Sequence, residues 1–527
     1  MFKNHPKGLL GAALSNMGER FGFYIMMAIL VLFLQAKFGF DGTQSGLIYS
    51  IFYFSIYILA FVGGLIADKT KNFKGTILVG LILMALGYVL IAIPSPTPVK
   101  QFSLYLTLTC VGLFVIAFGN GLFKGNLQAL VGKMYDNDQY TKMRDSGFSL
   151  FYMFINVGAV FAPLIAVLIR NWWLSANGFA YNADMPALCH GYLANTLNAE
   201  TTTQLANFAA QFGKTDLTVF ANEYLNVFTT GFHYAFGCAI FAMCISLVVY
   251  LVNKKNFPDE QKGMQNVQQA SISSTNNVEM DAKEIKQRMY ALFAVFGVVI
   301  FFWFSFHQNG LTLTNFAKEY TDLSMVKINL NFTTIEGAEV FQSINPLCVV
   351  LLTPVIMGLF GWLRARGKEP STPRKIAIGM GIAALAYVVM AVGSYVADLP
   401  LWSSLFEKVE NPETGKTIVN TIRVLPQELR VTPWLLIGTY VILTVAELFI
   451  SPLGISFVSK VAPQKYQGLM QGCWLGATAI GNQLLFIGAI LYQAIPIWMT
   501  WCVFVVACLI SMFTMLAMLK WLERVAK

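Results

Sequence analysis

The chain of 527 residues is 56% hydrophobic and only 12% charged, about half the charged share of a soluble domain, which excludes a soluble protein with a large core. Its net charge of +9 raises the question of nucleic acid, but the basic residues lie in short segments between long apolar runs. They read instead as the orientation signals of a polytopic protein whose partner is the lipid bilayer.

The opening M-F-K-N-H-P-K-G has no clean apolar core or small-residue cleavage site, so no signal peptide is expected. Twelve apolar segments of about 20 residues are long enough to span as helices. They are 12–36, 44–67, 76–95, 103–126, 147–170, 231–252, 289–311, 341–363, 375–397, 433–456, 468–492 and 497–520. About 24 Lys and Arg fall in loops on the N-terminal side of the bilayer against about 10 opposite, so both termini are expected in the cytoplasm. Residues 173–229 and 398–432 form long outer loops, and amphipathic patches in the first predict short surface helices. Residues 254–288, with Q-N-V-Q-Q-A-S-I-S-S-T-N-N, are a polar connector. They separate an N-terminal six-helix half (1–253) from a C-terminal one (289–527). The expected fold is therefore an all-α membrane protein of 12 helices in two halves, the layout of secondary transporters that rock about a midplane site.

Of eight cysteines only Cys189 lies in a polar loop, and no metal-ligand spacing appears. There is no phosphate-binding G-x-x-x-x-G-K-[ST] loop, so any driving force has to be a gradient. Gly119, Gly121 and Gly125 have the wrong spacing for a dinucleotide loop and predict close helix approach instead. Neither a Ser-His-Asp set nor paired acids on one helix is found, so no enzyme is expected.

The polar residues inside the spans carry the functional reading. In S-N-M-G-E-R-F-G-F-Y (Ser15 to Tyr24) the charges Glu19 and Arg20 are adjacent in an apolar run. Each costs roughly 2.5–3.5 kcal/mol at the centre of a membrane helix, so they either face a polar cavity or staple two helices as a static pair. Asn16, Glu19 and Arg20 share a helix face that Phe23, Tyr24 and Met27 extend. In the fourth span Lys124 either lines a cavity or snorkels to the interface. Asn156 in the fifth is a cavity amide or helix-helix glue. His307 and Gln308 lie in the seventh, Gln342 and Asn345 before a proline in the eighth, and Glu447 stands in the tenth with no basic residue within a turn. Positive charge from Arg20 and Lys124 on one half, facing Glu447 on the other, suits a zwitterion. Tyr24, Tyr57, Trp303 and Trp474 are candidate side-chain walls.

Together these stretches resemble the proton-dependent oligopeptide transporter family of the major facilitator superfamily. N-M-G-E-R-F-G-F-Y resembles its signature E-x-x-E-R-F-x-Y-Y. G-G-L-I-A-D-K-T-K-N-F-K-G-T-I (Gly63 to Ile77), G-N-G-L-F-K-G-N, F-Y-M-F-I-N-V-G-A, F-W-F-S-F-H-Q, F-Q-S-I-N-P, A-E-L-F-I-S-P-L-G and M-Q-G-C-W are similar to its later motifs, in order along nearly the whole chain. The resemblance implies an atypical bacterial member in the cytoplasmic (inner) membrane, monomeric and without cofactor or metal, that imports di- and tripeptides with protons. It implies that Arg20 and Lys124 hold the peptide carboxylate, that Glu447, Asn345 and Asn156 hold the amino end, and that Tyr24 and Tyr57 meet the backbone. Trp303, Gln308, Ser451 and Trp474 complete the substrate set, and Glu19, Arg20, Lys124 and His307 the proton-coupling set. The sequence departs from the family at Asn16 and His307, where acids stand, and at Phe23, Met27 and Gly125. Coupling is expected to be rewired through Glu19 with help from His307. The alternative is the same scaffold working without protons, or on another small zwitterion or organic anion.

Overall fold

With no water in hydrocarbon, a spanning backbone must satisfy its own hydrogen bonds, and apolar segments of this length do so as helices. The computed structural model describes residues 5–135, 139–140, 144–258, 282–411, 415–463 and 467–526. Among them are 12 helical stretches long and apolar enough to cross a membrane. The first half contains α1 (Gly8–Phe38), α2 (Gly42–Thr70), α3 (Phe73–Ala92), α4 (Phe102–Lys133), α5 (Arg144–Ala176) and α8 (Leu217–Asn253) as spans. Two short helices, α6 (Met185–Leu193) and α7 (Ala199–Ala210), lie between α5 and α8, where surface helices were expected. The second half contains α9 (Ala282–Phe306), α10 (Thr312–Tyr320), α11 (Ile344–Ala365), α12 (Thr372–Val396), α13 (Trp402–Leu405), α14 (Pro433–Val461), α15 (Gln467–Gln483), α16 (Leu485–Ala494), α17 (Ile497–Ala517) and α18 (Leu519–Val525). Most of the expected connector, residues 259–281, lies outside the described residues. Below, the face at the start of α1 is the terminal face, and the face at the α1–α2 turn is the loop face.

The helices overrun the expected spans where the sequence caps them. Asp216 accepts from the backbone N–H of Thr218 at 2.9 Å and Val219 at 3.1 Å, so α8 starts well before residue 231 and its first turns stand beyond the apolar run. Asp41 and Gln44 form a reciprocal capping box at the start of α2. Three of the described spans are irregular: a 3-10 turn, His307–Gly310, separates α9 from α10, another, Ala338–Ser343, leads into α11, and a turn at Leu484 separates α15 from α16.

The loop 398–432 is not plain coil. Strands β3 (Phe406–Asn411) and β4 (Lys416–Thr421) pair antiparallel there, after the smaller hairpin of β1 (Ile328–Leu330) and β2 (Thr333–Ile335). The larger hairpin rests on the other half. Asn420 Nδ2 donates to Thr196 O at 2.8 Å, and Asn198 Nδ2 donates to Ile422 O at 2.7 Å.

Close helix approach at the α4 glycines is present at two of the three positions. A Cβ on Gly119 would stand 2.7 Å from Gly80 O of α3, and one on Gly121 would stand 2.5 Å from the Leu59 backbone of α2, whereas Gly125 has 4.0 Å of room. The neighbours are backbone atoms, so they have no rotamer to yield. Gly121→Val is expected to lower stability by about 1–3 kcal/mol, the usual cost of overpacking. A thermal unfolding curve in detergent that matches the parent's would contradict this packing.

Candidate functional site

Polar residues of both halves meet around a cavity of about 1240 Å³, its open mouth included. From α1 come Asn16, Arg20 and Tyr24; from α2 the tyrosines 49, 53 and 57; from α4 Lys124 and Gln128. The second half supplies Trp303, His307, Asn345, Glu447 and Ser451. Lys124, Gln128 and Ser451 lie toward the terminal ends of their helices, so the cavity extends in that direction.

The charges divide into answered and unanswered groups. Arg20 donates to Glu19 from Nε to Oε2 at 2.5 Å and from Nη2 to Oε1 at 2.6 Å. Asn120 Nδ2 adds a third donor to Oε1 at 2.5 Å. Such a fork on a carboxylate is the strong form of hydrogen bond. Lys124 differs: its Nζ lies 4.5 Å from the Tyr57 ring centroid, and among the described residues it forms no ion pair. Glu447 accepts from Asn345 Nδ2 at 2.9 Å and likewise has no cationic partner among the described residues. A lone cation and a lone carboxylate therefore face one cavity from opposite halves.

Nine of the expected residues line it: Arg20, Tyr24, Tyr57, Lys124, Trp303, His307, Asn345, Glu447 and Ser451. His307 is sandwiched between Trp303 and Tyr53, with ring centroids 4.8 Å away on each side, and its Nδ1 is 2.5 Å from Asn482 Oδ1. Four do not reach the wall. Glu19 is buried behind Arg20. Asn156 donates to Tyr152 O at 3.2 Å within its own helix. Gln308 faces away because the 3-10 turn rotates it toward α16, where Nε2 donates to Leu485 O at 3.2 Å. Trp474 fills the space left by Gly454 and lies edge-on to Phe296, which makes it packing between α14, α15 and α9.

Toward the loop face the halves are joined by cross-half bonds. Gln35 Nε2 donates to Asn315 Oδ1 at 3.0 Å, Lys318 Nζ to Gln35 Oε1 at 3.0 Å, and Thr43 Oγ1 to Gln493 Oε1 at 2.9 Å. Lys408 pairs with Asp41 at 2.6 Å and Arg430 with Asp184 at 2.8 Å. Deeper in, Arg170 of α5 pairs with Glu339 ahead of α11, and both are almost wholly buried. Arg170 Nη2 also donates to Glu336 O at 3.0 Å, and its guanidinium lies 4.1 Å from the Tyr181 centroid.

A family model described as the POT family (PTR2) matches residues 74–280 and 262–500. The chain belongs to the POT family. Its members are transporters, not enzymes, and the resemblance read from the motifs is thereby established. Among relatives, the peptide transporter YePEPT of Yersinia enterocolitica is 28% identical, the match covering 91% of this chain and 87% of that one. The dipeptide and tripeptide permease B of Xenorhabdus bovienii is 25% identical over 99% of this chain and 97% of its own. The crystal structure of peptide transporter POT in complex with sulfate superposes with a TM-score of 0.69 at 22% identity, covering 100% of this chain and 96% of that one. At that identity the likeness establishes the fold.

For this POT-family chain, sequence reasoning missed part of the cavity. Tyr49 and Tyr53 repeat at four-residue spacing with Tyr57 on α2, so a stripe was available to be read. Asn120 gave no such signal, since an Asn between two glycines reads as a packing residue. Arg170 and Glu339 were missed because an Arg at a span's end reads as a snorkelling group.

The buried Arg170–Glu339 pair makes a double-mutant cycle informative. Arg170→Met or Glu339→Gln alone leaves one buried charge unanswered and is expected to cost about 3–5 kcal/mol. Removing both charges is expected to cost clearly less than the sum. Additive losses in thermal unfolding would show that the pair does not join the halves.

Proposed function

We propose that this transporter imports di- and tripeptides together with protons by alternating access, in a bacterial cytoplasmic membrane with both termini inside. The observation that supports this best is that Lys124 and Glu447, neither with an ion-pair partner among the described residues, face one cavity from opposite halves. A peptide has the complementary charges at its two ends. Its carboxylate is held by Lys124 and its ammonium by Glu447, with Asn345 orienting that carboxylate. Tyr24 and Tyr57 meet its backbone, and Trp303 and Tyr53 wall its side chains. A ligand that bridges the halves binds best when they are close, and that differential affinity is what shifts the conformational equilibrium. Its relatives, a peptide transporter and a dipeptide and tripeptide permease, point the same way.

The proton acts at Glu19. Ionised, it occupies the Nε–Nη2 edge of Arg20. Once protonated, it releases the guanidinium to join Lys124 at the peptide carboxylate, so proton and peptide bind together. His307, in the wall beside Lys124, assists. The pH response does not arise in the α11–α12 turn: hydrogen bonds from Arg364 and Lys375 push Glu369 down to about 2. That contribution is fully present above the ordinary value of 4.5 and is lost progressively as pH falls from there through about 2. A second reading, peptide or another zwitterion moving without protons, is favoured by Asn16 and His307 lining the cavity where family acids stand.

Uptake of labelled dialanine into proteoliposomes separates the two. Symport predicts accumulation above equilibrium with an inward proton gradient and plain equilibration without one; equilibration in both would leave the facilitator reading. Lys124→Gln and Glu447→Gln are each expected to raise KM about tenfold or more, the worth of one hydrogen bond to a charged group. An unchanged KM in both would contradict the assignment of the two ends.

A further inference from the structure

We propose that Asn120 positions Glu19 in both of its protonation states, its side-chain amide turning over when the carboxyl takes up a proton. The inference rests on the symport reading, in which Glu19 is the protonated group. It starts from a count of donors. Three N–H groups converge on the Glu19 carboxylate, two from Arg20 and one from Asn120. An ionised carboxylate accepts all three, but a carboxylic acid carries an O–H of its own and needs an acceptor for it. Asn120 supplies one: its Oδ1 is buried and has no hydrogen-bond partner among the described residues. Buried polar atoms are rarely left so. An amide that donates with one end and holds an idle acceptor at the other is matched to a partner that changes sign.

A hydronium ion arriving from the cavity past Arg20 gives its proton to Glu19 Oε1 and leaves as water. The Asn120 Nδ2–H···Oε1 bond breaks, the amide rotates half a turn about its Cβ–Cγ bond, and Glu19 O–H donates to Asn120 Oδ1. Arg20 loses one of its two acceptors and is freed toward the cavity. The surroundings allow the amide to turn and little else. Gly119 and Gly121 press the α4 backbone against α3 and α2 on either side, while the amide itself meets the flexible Met84, whose sulfur lies 3.9 Å from Nδ2. Arg20 and Tyr24 of α1, Tyr88 of α3 and Lys124 of α4 are the titratable groups within electrostatic reach of Glu19. Tyr57 of α2 and Tyr152 of α5 act on Arg20 and Tyr24. From α8, Ala242, Met243 and Ser246 pack on this stretch of α1. Lys124 is one turn along α4 from Asn120, so the amide links the protonation state to the helix that bears the substrate-facing cation.

Infrared difference spectra of the full chain in liposomes, titrated with pH, read the step directly through the carboxylic C=O stretch. The parent is expected to show a band that Glu19→Gln abolishes. Asn120→Leu, which removes donor and acceptor at similar volume, is expected to move its frequency and to displace its midpoint by about one pH unit or more. Asn120→Ala provides the same test if the Leu variant does not fold. A Glu19 band unmoved in both Asn120 variants overturns the inference and leaves Glu19 as the proton carrier. A parent without a Glu19 band at any pH overturns both the inference and the assignment of the proton to Glu19.

Discussion

A charge held away from water has to be answered by another group, and in this chain the pattern of answers defines the site. Lys37 donates to Ser95 O at 2.6 Å and Thr97 Oγ1 at 3.1 Å. Glu319 accepts from the Tyr492 hydroxyl at 3.0 Å. Glu19 is met by Arg20 and Asn120, and Arg170 by Glu339. Lys124 and Glu447 differ in lining the cavity without an ion pair among the described residues: Lys124 has the Tyr57 ring and Glu447 the Asn345 amide. Removing either ion from water without a counter-charge is expensive, and a ligand with both signs relieves both at once. The proposed binding of a zwitterion therefore rests on these two charges together and not on any single contact.

The same constraint bears on how the halves move. Among the cross-half bonds toward the loop face, Lys408–Asp41 sets a half-exposed ammonium on a buried carboxylate, and Arg430–Asp184 is largely buried. Arg170–Glu339 is different, because separating two buried charges exposes each to an unfavourable environment unless water reaches them. The seam therefore has a buried ionic pair inside and further polar contacts outside. The contacts of Asn420 and Asn198 extend this seam beyond the membrane-spanning helices, and give residues 173–229 a place in the joint between the halves.

Much of this was legible in the sequence, for identifiable reasons. A run of about 20 apolar residues has few alternatives to a spanning helix, so twelve spans were read, and the described residues contain twelve helical stretches long and apolar enough to cross a membrane. Adjacent charges in such a run, Glu19 and Arg20, announced the site. What escaped depends on azimuth and on distant pairing. His307 and Gln308 are neighbours, yet a 3-10 turn places one in the cavity wall and the other against Leu485 O. Asn156 looked available to a ligand but is spent on the carbonyl one turn back. Trp474 looked like a wall, and only the absence of a side chain at Gly454 explains where it goes. Arg170 and Glu339 are separated by 169 residues, a relation that no local pattern carries. Hairpins in the loops 328–335 and 406–421 were likewise invisible to a period meant for helices.

The measurement that tests the account most directly is electrical. Proteoliposomes holding the purified chain are adsorbed on a capacitive support and given a step of dialanine at constant pH, with no gradient imposed. Dialanine at neutral pH has no net charge, so sustained current on its addition is carried by the coupled ion. Symport predicts an inward positive current that grows on mild acidification and vanishes in Glu19→Gln. Tracer entry of dialanine with no current, at any pH, would contradict proton coupling and leave a peptide facilitator.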